Sequence, residues 1–589
     1  FCFFRALSVG TPTFIIEPDK MKMKLVRIIS AVLFVLLLSP CVFAAENAET
    51  VFEDITKNDI YAAVYEADIV SLRSALDCGL ITSRELTGIY LDRIEKFGGA
   101  KKCFITLCDN ALEEADKRDA AIAAGTAEGT LFGIPVVVKD NIEYAGYPTT
   151  NGKKKNGSVS ATNAAVVQYL LDEGAVILGK TNMSTEAQEA RITISRAVGE
   201  TTNAYDSGMA AGGSSGGTAV SVSLNLAAAG LGTDTNASLR YPAVLNGCVS
   251  LRSTFGLVSR EGIIKLNGKR DVAGAITRTV YDQAVMLDAI TGGIYNFTKR
   301  LDPDRLKGAR LGVIKELSYP YGSSDRSSAN FDPEISAAFE KALSELTECG
   351  AEIVEVSMPR IFSMSASCNE TYANAAAAKE KFYAAYRTLF ESENLTAVIF
   401  PSCVTAPLYT GVTSDGALKV YRQTSVTNLS LIAPQLGVPE MTVQTGLHSR
   451  NAGMGIEFAG LRGDDQKILD LAYSYTARYD HRTVPEYAEN LYGAARYSMS
   501  GIVSRYIVFT TPKTSGSSAV SSPEDSSAKT ENTGSAAVTE TDRDQPYRTA
   551  NTVTVICIAG VSVCILICLS ANIRNSRMRK RRRRNRRRR

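Results

Sequence analysis

Between Ala211 and Pro242 the chain reads AGGSSGGTAVSVSLNLAAAGLGTDTNASLRYP, a glycine loop holding two serines, an apolar run and a second serine-bearing turn. Glycines on both sides of Ser214 and Ser215 permit tight turns and close backbone approach, and Val220, Val222, Leu224 and Leu226 then carry the chain into buried structure. Loop, helix and second turn together make a candidate nucleophile apparatus.

Upstream, GIPVVVKDN (Gly133 to Asn141) ends a β-branched run with a lysine. Val136, Val137 and Val138 suit a buried strand, and burial of Lys139 favours the neutral, proton-accepting amine. Two serines and a lysine make a complete proton relay. Taken alone, Lys139 also reads as a strand-end lysine paired with Asp140. Histidine, the usual base for a serine nucleophile, occurs only as His448 and His481, in the polar stretches GLHSRN and YDHRT, which read as surface loops. No HExxH run and no Cys/His metal spacing is present, so neither a metal nor a cofactor is expected.

These segments together resemble the amidase signature family, from about Ile60 to about Ala477, and look closest to its exported members. ITSRELTGIYLDRIEKF is similar to the family's leading helix, GTLFGIPVVVKDNIEYAGYPTTNG to its lysine segment, and VILGKTNMS, GGSSGG and GTDTNASLRYPAVLNG to its next three blocks. The resemblance implies Lys139 as base, Ser214 as a bridging serine in a cis peptide and Ser238 as nucleophile, with Ser214 and Ser238 at the family's separation of 24 residues. It also implies an oxyanion hole from the backbone N–H groups of Thr235, Asn236, Ala237 and Ser238. Gly213, Ser215, Asp234 and Arg240 would shape the site. Asn236 and Ala237 stand where the family has two glycines, so the oxyanion geometry requires Ala237 at an ordinary φ. Ser250, Leu251, Arg252, Ser253 and Thr254 replace the family's glycine-leucine-lysine-proline-threonine run. Between Pro359 and Tyr372 a segment that shapes the pocket of many relatives is short.

Helical periods such as LTGIYLDRIEKF and ISAAFEKALSEL alternate with short apolar runs such as IPVVV, AVILG, RLGVI and AVIF, and 45% hydrophobic residues can fill a large core. That alternation predicts an α/β fold, a mixed central sheet covered by helices on both faces, over residues 45–510.

Residues 1–44 read as leader and secretory signal: from Met21 or Met23, a basic start, an apolar run, and Val42 and Ala44 before a cut. After 510 a Ser/Thr-rich run (511–550) reads as a disordered stalk. Residues 551–573 follow as a transmembrane helix, uncharged from Thr552 to Ile573 and long enough to cross about 30 Å of hydrocarbon. Twelve Arg and Lys among the last sixteen residues (574–589) read as a cytoplasmic positive-inside signal, not a nucleic-acid patch. The expectation is a cell-membrane protein, single-pass, with an extracytoplasmic catalytic domain acting on a small-molecule or peptide amide. Two rival readings are an inactive amidase-like surface binding protein and a protein like the amidase-type subunit of a tRNA-dependent amidotransferase. Seven cysteines in the domain, Cys78, Cys103, Cys108, Cys248, Cys349, Cys368 and Cys403, leave room for one or two disulfides.

Overall fold

The computed structural model describes residues 55–153, 157–320, 331–410 and 428–510. The expected leader, stalk, membrane helix and basic tail lie outside the described residues. Among the described residues no helix is long and apolar enough to cross a membrane.

Eleven strands form one mixed sheet. In chain order they are β1 (Phe104–Leu107), β2 (Pro135–Lys139), β3 (Val176–Thr181), β4 (Ala229–Asp234), β5 (Val249–Arg252), β6 (Val272–Thr277), β7 (Arg310–Ile314), β8 (Glu352–Val356), β9 (Ala397–Pro401), β10 (Glu440–His448) and β11 (Ala452–Ala459). Across the sheet they run β1-β3-β2-β4-β6-β5-β10-β11-β9-β7-β8. β2 lies parallel between β3 and β4, while β6, β5, β10 and β11 pair antiparallel and join this half to the parallel β9-β7-β8 half.

The runs expected as strands, IPVVV, AVILG, RLGVI and AVIF, contribute β2, β3, β7 and β9. Every residue of β2, β3, β4 and β6 is buried. Successive side chains on a strand point to opposite faces, so both faces of this half are covered, and that explains continuous valines where a one-sided sheet would alternate.

Local chemistry sets the helix starts. Helix α1 (Ser83–Arg93) begins at a capping box in which Thr82 accepts from the Glu85 N–H and Glu85 returns a bond to the Thr82 N–H. Helix α2 (Gly216–Ser223) follows the glycine loop and packs on β4 and β2, with every residue buried. The short α3 (Arg240–Leu245) leads away from the second turn, and α4 (Val280–Ile290) covers β6. Asp332 caps α5 (Pro333–Glu348), with Pro333 in the first turn where its missing N–H costs nothing. Helices α6 (Ala375–Glu393) and α7 (Asp465–Thr476) complete the elements used below.

Two expectations are corrected here. His448 is not in a surface loop: it is the last residue of β10, 3% exposed, with Nε2 3.3 Å from Asp332 Oδ1. The sequence places it next to polar SRN, but the strand continues one residue further than that polarity suggests. His481 does lie in a loop, half-buried, with Nε2 2.7 Å from Glu345 Oε2. No disulfide forms among the described residues, and five of the domain cysteines, Cys103, Cys108, Cys248, Cys349 and Cys368, are buried thiols.

Candidate active site

Lys139 ends β2, and Thr233 stands near the same end of the adjacent parallel strand β4. The glycine loop before α2 lies over both. Lys139 Nζ is 2.8 Å from Ser214 Oγ, 2.9 Å from Ser215 Oγ and 2.9 Å from Thr233 Oγ1, and the lysine is fully buried. Burial pushes its ammonium down to about 7, against the opposing pull of the Asp234 and Asp271 carboxylates. Its lone pair is therefore available near neutrality. The strand-end pairing with Asp140 does not occur. Asp140 instead faces Lys180 at 3.7 Å and accepts from Thr150 and Gly152.

The Gly213–Ser214 peptide is cis. Gly213 is required by contact: a Cβ there would lie 2.4 Å from the Ile192 carbonyl oxygen. At Gly217 a Cβ would lie 2.3 Å from the Asn182 carbonyl oxygen, so the loop can sit against that strand end only as glycine. The Ser214 carbonyl accepts from the Ser184 N–H at 3.2 Å. Ser215 Oγ donates to the Thr233 carbonyl at 3.2 Å, which ties the loop to β4.

In the second turn Ser238 is 4% exposed, and its hydroxyl makes no hydrogen bond among the described residues. The structure thus joins Lys139 to Ser214, but the Ser214-to-Ser238 link of the relay is not formed in it. Asn236 and Ala237 are absent from the positive-φ residues, so alanine occupies the glycine position without strain. The backbone N–H groups of Thr235, Asn236, Ala237 and Ser238 donate to nothing among the described residues. Four consecutive unspent donors are what a developing oxyanion needs.

Buried charges hold this turn: Asp234 and Arg240, which the sequence reading places at the site, together with Arg252 and Glu440, which it does not. Asp234, fully buried, receives Arg240 Nε at 3.2 Å, Arg252 Nη1 at 2.9 Å and the Leu239 N–H at 3.2 Å. Burial opposes its ionisation, but the two guanidinium groups keep its carboxyl below the ordinary value. Arg240 also bonds Glu440, and its Nη2 donates to the carbonyls of Asn236 (2.8 Å) and Leu429 (2.9 Å). Glu457 is buried nearby, and burial together with Glu440 raises its carboxyl. A sequence signal for these charges exists: Arg252 in VSLRS and Glu440 in VPEMT are charges inside apolar strands, which stay buried only when paired. On the outer side Asn236 Oδ1 accepts from Arg270 Nη1 at 3.2 Å, and Thr235 Oγ1 donates to Asp271 Oδ1 at 2.7 Å.

A buried lysine bonded to a serine on a glycine loop, with a second serine in a turn whose N–H groups have no protein acceptor among the described residues, on a large mixed sheet, defines an amidase-signature α/β enzyme. The amidase family profile matches residues 85–382. The chain is 30% identical over 496 residues to a subunit of glutamyl-tRNA(Gln) amidotransferase from Caldanaerobacter subterraneus subsp. tengcongensis, covering 72% of this chain and 98% of the relative. The corresponding subunit of Trichodesmium erythraeum is 38% identical over 291 residues, 47% of this chain and 58% of that one. Among solved structures, native peptide amidase from Stenotrophomonas maltophilia superposes with a TM-score of 0.61 at 27% identity, covering 72% of this chain and 99% of that one. The chain belongs to the amidase family.

Proposed function

We propose that this protein hydrolyses a carboxylic amide, with Ser238 as nucleophile, Ser214 as proton bridge and Lys139 as base. The observation that carries this reading is the fully buried Lys139 bonded to Ser214 beside four unspent N–H groups. After a rotation of its side chain, Ser238 gives its proton to Ser214, whose own proton passes to neutral Lys139. Ser238 Oγ bonds the carbonyl carbon, and the oxyanion takes the N–H groups of Thr235 to Ser238. The proton returns through Ser214 to the leaving nitrogen as the C–N bond breaks. Water then releases the acid from the acyl-enzyme by the same relay.

The inactive-binder reading draws on Asn236 and Ala237, and the ordinary φ of Ala237 counts against it. An amidotransferase-like role has a specific observation in its favour, the 30% identity across 98% of such a protein. The leader and the Thr552–Ile573 span favour instead a membrane-anchored, extracytoplasmic amidase. Assay of the purified protein against simple, fatty and peptide amides, without added tRNA or partner proteins, tests the choice. Hydrolysis that disappears in Ser238→Ala supports the amidase, and activity seen only with a synthetase-type partner and charged tRNA would replace it.

A further inference from the structure

A narrow cleft opens beside the lysine, with Asn141, Thr233 and Thr235 and the apolar side chains of Ile263, Ile264 and Leu266 among its lining. Thr233 is the hydroxyl that Lys139 bonds, and Thr235 begins the oxyanion turn, so the cleft adjoins both the relay and the N–H donors. Most of its polar groups are already engaged. Asp271 accepts from Thr235 Oγ1 at 2.7 Å and from the N–H groups of Leu266 and Asn267 at 2.9 and 2.8 Å. Arg260 donates to the Gly268 carbonyl at 2.6 Å and lies over the Phe255 ring. Asn141 differs. It is 2% exposed, its Nδ2 donates to Thr233 Oγ1 at 3.0 Å, and its Oδ1 is buried without a hydrogen-bond partner. A buried carbonyl oxygen left unpaired points to a donor that arrives with a ligand.

We infer that this cleft takes the amine side of a secondary amide, with Asn141 Oδ1 accepting the substrate's N–H and Ile263, Ile264 and Leu266 covering a compact aliphatic substituent on nitrogen. The inference rests on the amide-hydrolysis reading above. Ser214, held by Lys139, must return a proton to the departing nitrogen, so that nitrogen faces the relay, and the cleft bounded by Thr233 lies on that side. Ile264 and Leu266, 37% and 40% exposed, are the apolar surface an alkyl group would cover. Asp271 and Arg260 are already engaged and Lys265, the third charged residue of the lining, is solvent-exposed, so the buried polar group left for the substrate is Asn141 Oδ1. Asn141 is thus a specificity-determining residue that distinguishes an amide from the ester of the same shape, because the ester oxygen brings no proton.

The test compares N-propylbutanamide with propyl butanoate, which share acyl and alkyl groups, on the full-length protein and its Asn141→Ala variant. The expected result is an amide-to-ester ratio of kcat/KM about tenfold lower in the variant, the worth of one buried hydrogen bond. A ratio unchanged while both rates fall would overturn the inference and leave Asn141 as a prop for Thr233. If Asn141→Ala does not fold, Asn141→Ser is judged on the same ratio. Binding of both compounds to Ser238→Ala, read by calorimetry, separates this inference from the reaction itself. Preference for the amide there sustains the cleft assignment even if the wild-type protein turns over neither compound, whereas equal binding, or none, overturns it.

Discussion

Arg240 and Glu440, 200 residues apart in sequence, form a fully buried ion pair that fastens the turn carrying Ser238 to the first residue of β10. The same guanidinium holds the Asn236 carbonyl, so the orientation of the four N–H groups depends on a carboxylate from β10, in the antiparallel middle of the sheet. Removing one partner of such a pair strands the other. Glu440→Ala should cost about 3–5 kcal/mol of stability by denaturant titration. Glu440→Gln, which keeps the shape, should lose less stability and lower kcat more than it raises KM.

Relay members act as a unit. Ser238→Ala should lower kcat by roughly three orders of magnitude or more, and Lys139→Ala or Ser214→Ala should be nearly as damaging. Amide turnover in a discontinuous product assay checks this, and any of the three variants at parental rate would refute the assignment of roles.

Lys139 must be neutral to accept a proton, and burial brings it to about 7. Below that pH the rate should fall about tenfold per unit, and above it the rate should level off. Stability has the related sign. The unfolded lysine titrates near 10.5, so between about 7 and 10.5 the unfolded chain binds the extra proton and raising pH favours folding through this group. A pH–rate profile with no acid limb between pH 6 and 8 would remove Lys139 as the base.

Ala237 already has an ordinary φ, so glycine has nothing to restore there. Ala237→Gly should leave the rate unchanged or lower it, and cost up to about 1 kcal/mol through added freedom of the unfolded chain. Asn236→Gly also removes the acceptor of Arg270 at 3.2 Å and should loosen the turn. A clear rise in kcat for either variant would mean that the turn is misaligned for catalysis as it stands.

The proposed topology has its own test. Protease added to intact cells should cut between Thr510 and Asp544 and release a soluble catalytic fragment, while an epitope after Arg589 stays protected. Recovery of the uncut chain from cytosol would reverse that proposal.

Much of this architecture is legible in local sequence. The valine run at 136–138, the TSRE box before α1 and the DPE start of α5 each state their structure within a few residues, because capping and two-sided burial are short-range effects. The roles given to Lys139 and Ser214 come instead from the resemblance of the lysine segment and the glycine loop to those of the amidase signature family. The support of the turn is not legible locally, since Arg252, Glu440 and Arg270 reach it only after distant segments meet. His448 escapes a local reading for a related reason: polar neighbours describe a loop, but its burial is set by Asp332 at the start of α5.

Lys139 and Thr233 sit on neighbouring parallel strands, so the gap between base and partner is the spacing of the sheet itself, about 4.8 Å between backbones. A slip of one residue between β2 and β4 would turn the amine to the opposite face and abolish the base without changing a single loop. Conversely, residues 260–269 lie outside those strands, and on the proposed cleft assignment they are where a different amine would be accommodated while the lysine keeps its place. On that reading the base belongs to the ladder, and the choice of amine to what overhangs it.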